Sequence, residues 1–140
     1  MKWQYHEEMA TLATSAVYHD VGRVNDSADD FHGQRSAEVF KKNGKKHAVD
    51  MEAATFLIAY HCLDDSLGLG QIKKRFDGDK RISLLYKIIK DADALDRVRF
   101  GKAGLDISYL RLEESKKMTL IARLLLDNII IEQAQSSPML

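Results

Sequence analysis

Proline is nearly absent from this chain of 140 residues: Pro138, close to the C-terminal end, is the only one, so nothing inside forbids long helices. Cysteine is as scarce, and the single Cys62 excludes an internal disulfide and favours a reducing compartment. An excess of charge is missing too. Lys+Arg and Asp+Glu both number 21, which excludes a general electrostatic grip on nucleic acid or an anionic membrane surface and leaves only local basic sites. No apolar run reaches the length of a membrane span: the segments 124–126 and 129–131 are split by Asp127 and Asn128, so no membrane partner is expected. Strict apolar/polar alternation is lacking, which speaks against strands. The N-terminus, Met1-Lys2-Trp3-Gln4-Tyr5-His6-Glu7-Glu8, is too polar and acidic for a signal peptide, and a cytoplasmic protein is the expectation.

What remains is ordinary globular material, 45% hydrophobic and 30% charged, which argues against disorder. The length is that of one domain burying roughly 70% of the surface its unfolded chain exposes. Apolar residues recur at three- and four-residue spacing. They predict helices near 3–18, 33–43, 47–62, 80–99 and 112–134, with a shorter one near 66–76. The expectation is an all-α bundle of about five to seven helices, with one domain over 1–134 and a frayed tail over 135–140. Gly44 after Lys41-Lys42-Asn43 reads as a helix stop and Asp77-Gly78-Asp79 as a turn. The polar loop 21–33 contains Asp26, Asp29 and Asp30 but lacks the alternating order and terminal glutamate of an EF-hand. Gly68-Leu69-Gly70 is half a dinucleotide fingerprint without a strand and carries no weight.

Two helical-wheel patterns point to chemistry. On the helix 80–99, Ile82, Leu85, Tyr86, Ile89 and Ala92 share a face with Asp93 and Asp96, whereas Lys90 falls on the polar side and Asp91 at its boundary. Burying Asp93 and Asp96 there costs several kcal/mol per charge unless a cation offsets it. On the helix ending Ala59-Tyr60-His61-Cys62, His61 follows Ala54, Leu57 and Ile58 on one apolar stripe. Taken singly, His61 reads as a core imidazole, His19-Asp20 as the cap of an apolar helix and His32 as a helix start. Taken together, three histidines and two or more carboxylates facing inward fit a divalent cation, which neutralises the acids and uses neutral imidazole. Mixed nitrogen and oxygen ligation suits Mn²⁺, Fe²⁺, Co²⁺, Ni²⁺ or Zn²⁺ better than Ca²⁺. With water in an open position such an ion supplies hydroxide near neutral pH and polarises a phosphoryl oxygen.

The residues that carry this pattern resemble a known family. Tyr18-His19-Asp20-Val21-Gly22-Arg23, Phe31-His32-Gly33-Gln34-Arg35-Ser36-Ala37-Glu38, Tyr60-His61 and Asp91-Ala92-Asp93-Ala94-Leu95-Asp96-Arg97 stand in the order found in HD-domain metal-dependent phosphohydrolases. The likeness is to the small single-domain type. It implies that His19, Asp20 and Asp93 bind the metal, a divalent ion for which Mg²⁺ joins the candidates above. His32 and His61 match histidines that hold a second cation in binuclear members, with Asp20 bridging, and that face the substrate phosphate in mononuclear ones. Arg23 and Arg35 are the candidates for pairing phosphate oxygens. Asp96 would orient a ligand or a basic residue.

One departure follows from the same resemblance. The family's first metal histidine lies on a helix well before the doublet, and only 18 residues precede His19 here. The expectation is that this helix is lacking and that metal binding and turnover suffer. His6, 13 residues before His19, could not reach the far side of the site on one continuous helix; either it substitutes through a different chain path, or the metal is under-coordinated, or the chain is a truncated version. Core surface left uncovered by such a loss would favour a homodimer, and the apolar run 120–131 reads as a buried closing helix or a subunit contact. Lys41-Lys42 and Lys45-Lys46 read as a solvated helix end. Trp3 and Tyr5 read as core or interface packing.

The leading expectation is a phosphohydrolase that cleaves an ester or anhydride of a small nucleotide-like molecule through a metal-bound hydroxide. Asp20, Arg23, His32 and His61 would be its catalytic groups. The alternative is a catalytically impaired regulatory or structural dimer that binds metal or nucleotide.

Overall fold

The computed structural model describes residues 2–25, 27–44, 49–101 and 103–136. Among these residues seven α-helices follow one another: α1 (Lys2–Tyr18), α2 (His32–Asn43), α3 (Met51–Tyr60), α4 (Asp65–Arg75), α5 (Lys80–Asp96), α6 (Glu113–Lys117) and α7 (Thr119–Ser136), with short 3₁₀ turns at Arg97–Phe100 and Ile107–Tyr109. Among the described residues there is no strand. The fold is all-α, as the spacing predicts.

Boundaries differ where local capping decides. The helix expected from 47 starts at Met51, because the Asp50 carboxylate accepts the Ala53 N–H at 2.9 Å. The single helix expected over 112–134 is two, parted at Met118. α7 runs through Ser136, so Gln135 and Ser136 are helical, and the rest of the expected tail, 137–140, lies outside the described residues, as do Asp26, Lys45 and Lys46.

The chain resolves into two compact units, Met1–Lys90 and Asp91–Leu140. In the first, α3 is the central rod: Ala53, Ala54, Phe56, Leu57 and Ile58 are all 0% exposed, as a helix apolar around most of its circumference must be. One side of α3 meets Ile72 of α4 and Ile82, Leu85, Tyr86 and Ile89 of α5. The other side meets Ala37 and Phe40 of α2. Full burial of each such Leu, Ile or Phe contributes about 1.5–3 kcal/mol. Asp50 ties three helices at one end of the unit: its N–H donates to Thr11 Oγ1 of α1 at 3.1 Å, its carboxylate caps α3, and it accepts from Arg81 of α5 at 2.9 Å. Gly68 lies where a Cβ would strike the Tyr86 hydroxyl, whereas a Cβ on Gly70 would meet open space; Gly68 serves helix packing.

In the second unit Val98, Leu105 and Leu110 form the core, with Ala94, Leu95, Ala122 and Leu126 packed against it. This corrects the wheel. The expected buried acids of α5 are half-buried (Asp93) and exposed (Asp96), whereas Asp91 is 0% exposed. It accepts the Arg111 N–H on both oxygens at 3.0 Å, the Leu112 N–H at 2.9 Å and Arg111 Nη1 at 3.1 Å. A wheel drawn over residues 80–99 presumes one buried stripe. The stripe that packs within the second unit instead runs through positions 91, 94, 95 and 98, beginning at what the wheel took for the polar boundary. Lys90 is corrected likewise: it is buried, donates to the Leu63 carbonyl, pairs with Asp65 at 2.8 Å and lies 5.3 Å from the Tyr86 ring centroid.

Candidate metal centre

The doublet stands where α1 ends. His19 N–H still bonds back to the Ser15 carbonyl at 2.9 Å, and its ring Nδ1 donates to the Ala16 carbonyl at 2.7 Å. The chain then turns, with Arg23 N–H on the Asp20 carbonyl at 2.9 Å, and is stitched to α2: Gly22 N–H donates to Ser36 Oγ at 2.9 Å, and Arg35 Nε donates to the Gly22 carbonyl at 3.0 Å. A Cβ on Gly22 would lie 2.5 Å from the Ser36 nitrogen, so only glycine lets the loop come this close.

His32 opens α2 and donates Nδ1–H to the Asp29 carbonyl; His61 closes α3 and donates Nδ1–H to the Ile58 carbonyl at 2.7 Å. Both rings are buried, at 4% and 2% exposure. Gly33 permits their meeting: a Cβ there would sit 2.6 Å from the Ala59 carbonyl oxygen and 3.0 Å from Cys62 Sγ. The start of α2 therefore rests directly on the end of α3.

A carbonyl oxygen only accepts, so Nδ1 of each of these three imidazoles carries a proton, and in the neutral ring the lone pair is on Nε2. The Nε2 atoms converge on Asp20. His32 Nε2 lies 3.1 Å and His61 Nε2 3.6 Å from Asp20 Oδ1, and the two nitrogens are 3.0 Å apart. On the other oxygen, Oδ2, stand His19 Nε2 at 3.7 Å and Arg23 Nη1 at 3.4 Å. Asp20 Oδ1 is buried and receives no hydrogen bond. Three lone-pair donors held this close repel one another unless a cation lies among them. Donors about 2.0–2.1 Å from a tetrahedral ion stand roughly 3.3 Å apart, and the observed separations of 3.0, 3.1 and 3.6 Å bracket that value. The residues present fit a divalent ion.

Two overlapping sets of potential ligands result among the described residues, His19 with Asp20 and His61, and His32 with His61 and Cys62. Cys62 gave no pattern in the sequence beyond adjoining His61. Burial pushes its thiol up from the ordinary cysteine value.

Of the other candidates, Arg23 stays beside the doublet, donating Nε–H to the Asn25 carbonyl at 3.0 Å. Arg35 is committed elsewhere: besides Gly22 it forms an ion pair with Asp29, and that guanidinium holds the Asp29 carboxyl below its ordinary value of 3.8. Asp93 belongs to the second unit and to neither set. Asp96 is exposed, accepts from Arg99 Nε at 2.7 Å and is in neither set. His6 is exposed on α1 and is in neither set. No helix among the described residues is long and apolar enough to cross a membrane.

The family model for the HD domain matches residues 1–98. No curated protein and no solved structure gives a significant match. The family match starts at the first residue, which corrects the expectation of a lost N-terminal ligand helix. Within the matched span the metal-binding histidine His19 is present just after α1, in the set with Asp20 and His61. With the match spanning well over half of the chain, and the histidine–aspartate doublet at the heart of the ligand sets, this protein belongs to the HD-domain family.

Proposed function

We propose that the chain is a metal-dependent phosphohydrolase acting on an ester or anhydride of a small, nucleotide-like phosphate in a reducing compartment. The observation that carries the reading is the convergence of His32 and His61 Nε2 on the buried, undonated Asp20 Oδ1. His19 and Asp20 would hold one divalent ion, with Asp93 as a further ligand assigned by its motif alone. His32 and His61 would hold a second ion with Asp20 between. Mn²⁺, Fe²⁺, Co²⁺, Ni²⁺, Zn²⁺ and Mg²⁺ are the candidates. Such an ion, when bound, acidifies water and polarises a phosphoryl oxygen.

The chain's own groups do the rest. Asp20 spreads its two oxygens between the histidine groups. Arg23, one hydrogen bond from the doublet, offsets charge on the phosphoryl oxygens. Arg35 reaches phosphate only by exchanging Asp29 for a phosphate oxygen, so it serves binding more than chemistry. In a site with a single ion, His32 or His61 keeps Nε2 available to take or hold a proton beside the substrate.

Purified protein supplied with Mn²⁺ is expected to cleave nucleotides or an aryl phosphate, and to gain about 2.7 kcal/mol of stability at an ion concentration 100 times Kd. If neither cleavage nor stabilisation occurs, or if Asp20→Ala binds metal as well as the parent does, the reading is wrong.

A second reading, a metal- or nucleotide-binding dimer without turnover, is favoured by the exposed stripe Leu120, Ile121, Leu124 and Leu125 on α7. Retained metal binding, no turnover and a dimeric mass by light scattering would support it; a monomeric mass would remove it.

A further inference from the structure

We infer that Cys62 is a protein ligand to the ion held by His32 and His61, making that site a mixed imidazole–thiolate centre that selects zinc-, cobalt- or iron(II)-type ions over Mg²⁺. The inference rests on the metal-binding reading above and goes beyond it in naming a sulfur donor and the ion class that follows. Cys62 Sγ and one ring nitrogen each of His32 and His61 all lie within 4.8 Å of one another. The sulfur is held there by packing. Cys62 follows His61 at the end of α3, and the glycine at 33 brings the start of α2 against it, with 3.0 Å between Sγ and the place of a Cβ.

The present partner of the thiol is weak, the Asp30 carbonyl at 3.7 Å, so ligation would cost little hydrogen bonding. On ligation the S–H bond breaks, the sulfur's electron pair forms the bond to the ion, and the proton leaves to water. Asp20 Oδ1, buried and accepting no hydrogen bond, faces the Nε2 atoms of His32 and His61 at 3.1 and 3.6 Å and is the candidate fourth donor. Two imidazoles, one thiolate and one carboxylate oxygen are the donors of a tetrahedral zinc site. Thiolate is a poor ligand for Mg²⁺, which prefers oxygen.

The inference is tested with the full chain and cobalt alone. Co²⁺ is expected to give visible ligand-field bands together with a near-ultraviolet thiolate-to-cobalt charge-transfer band, and Cys62→Ser should lose the second and keep the first. Ligand-field bands without charge transfer in the parent protein would overturn the sulfur ligand while leaving the metal reading intact; no cobalt spectrum at all would overturn both. Because Cys62 is the single cysteine, alkylation reads this site without any variant. Zn²⁺ should slow alkylation and Mg²⁺ should not, and equal rates with and without Zn²⁺ would overturn the inference. Zn²⁺ affinity of Cys62→Ser should fall by more than the ~10–100-fold that an outer-shell partner is worth.

Discussion

Asp91 and Asp20, in different units, meet opposite surroundings: the whole Asp91 side chain is buried, whereas Asp20 is part-exposed and buries only Oδ1. Asp91 is saturated: two backbone N–H groups and the Arg111 guanidinium supply donors to both of its oxygens. Asp20 has one oxygen turned toward imidazole nitrogens that carry lone pairs, and that oxygen has no donor. The first carboxylate is neutralised by the chain and holds the 105–112 segment to α5. The second is left for something the chain does not contain. A buried acid is therefore a poor sign of function until its donors are counted, and the count separates a brace from a binding site.

Four experiments would break or sharpen this contrast. The largest effect is expected at Asp91: Asp91→Ala strands Arg111 and two backbone N–H groups, and should cost about 3–5 kcal/mol in urea unfolding. Metal affinity of the folded protein should stay unchanged. Asp20→Asn should do the reverse. Without metal it leaves stability nearly unchanged, since the carboxylate is part-exposed and its Oδ1 accepts no hydrogen bond, while the roughly 2.7 kcal/mol supplied by saturating metal disappears from the thermal shift. A loss of metal-free stability as large as that of Asp91→Ala would refute the distinction.

Third, Gly33→Ala should destabilise by about 1–3 kcal/mol through overpacking against the Ala59 carbonyl, and weaken metal binding by parting His32 from His61. The smallest effect concerns Arg35. Its ion pair lowers the Asp29 carboxyl from 3.8, so the pair stabilises the folded state fully above about pH 3.8 and ever less as pH falls through the lowered value. Arg35→Ala should lower stability slightly and evenly above that pH and converge with the parent as pH falls through the lowered value, which flattens the acid limb of the stability profile.

Much of the first unit was legible because its signals are local. The periodicity of α3 and of Ile82, Leu85, Tyr86 and Ile89 is that of buried stripes, and the structure buries them. His19, Asp20, His32 and His61 could be picked out as inward-facing groups at helix ends, and they come together. What failed was non-local. Asp91 is decided by donors 20 and 21 residues away, and Lys90 by carbonyl and carboxylate partners beyond α3. Arg35 looked available for phosphate because nothing in its own helix reveals the Asp29 pair six residues earlier. Cys62 carried no pattern at all, and its neighbour across the helix pair is set by a glycine at 33 whose role is visible only in three dimensions.

The Nδ1 bonds of His19 and His61 have a last consequence. Each runs to the carbonyl three residues back, Ala16 or Ile58, in the final turn of its helix, where carbonyls otherwise lack an intrahelical partner. Aiming a ligand and finishing a helix are thus one act of bonding. Stripping the ion with a chelator should loosen the last turns of α1 and α3 first, and amide exchange there would report occupancy of the centre before any global melting began.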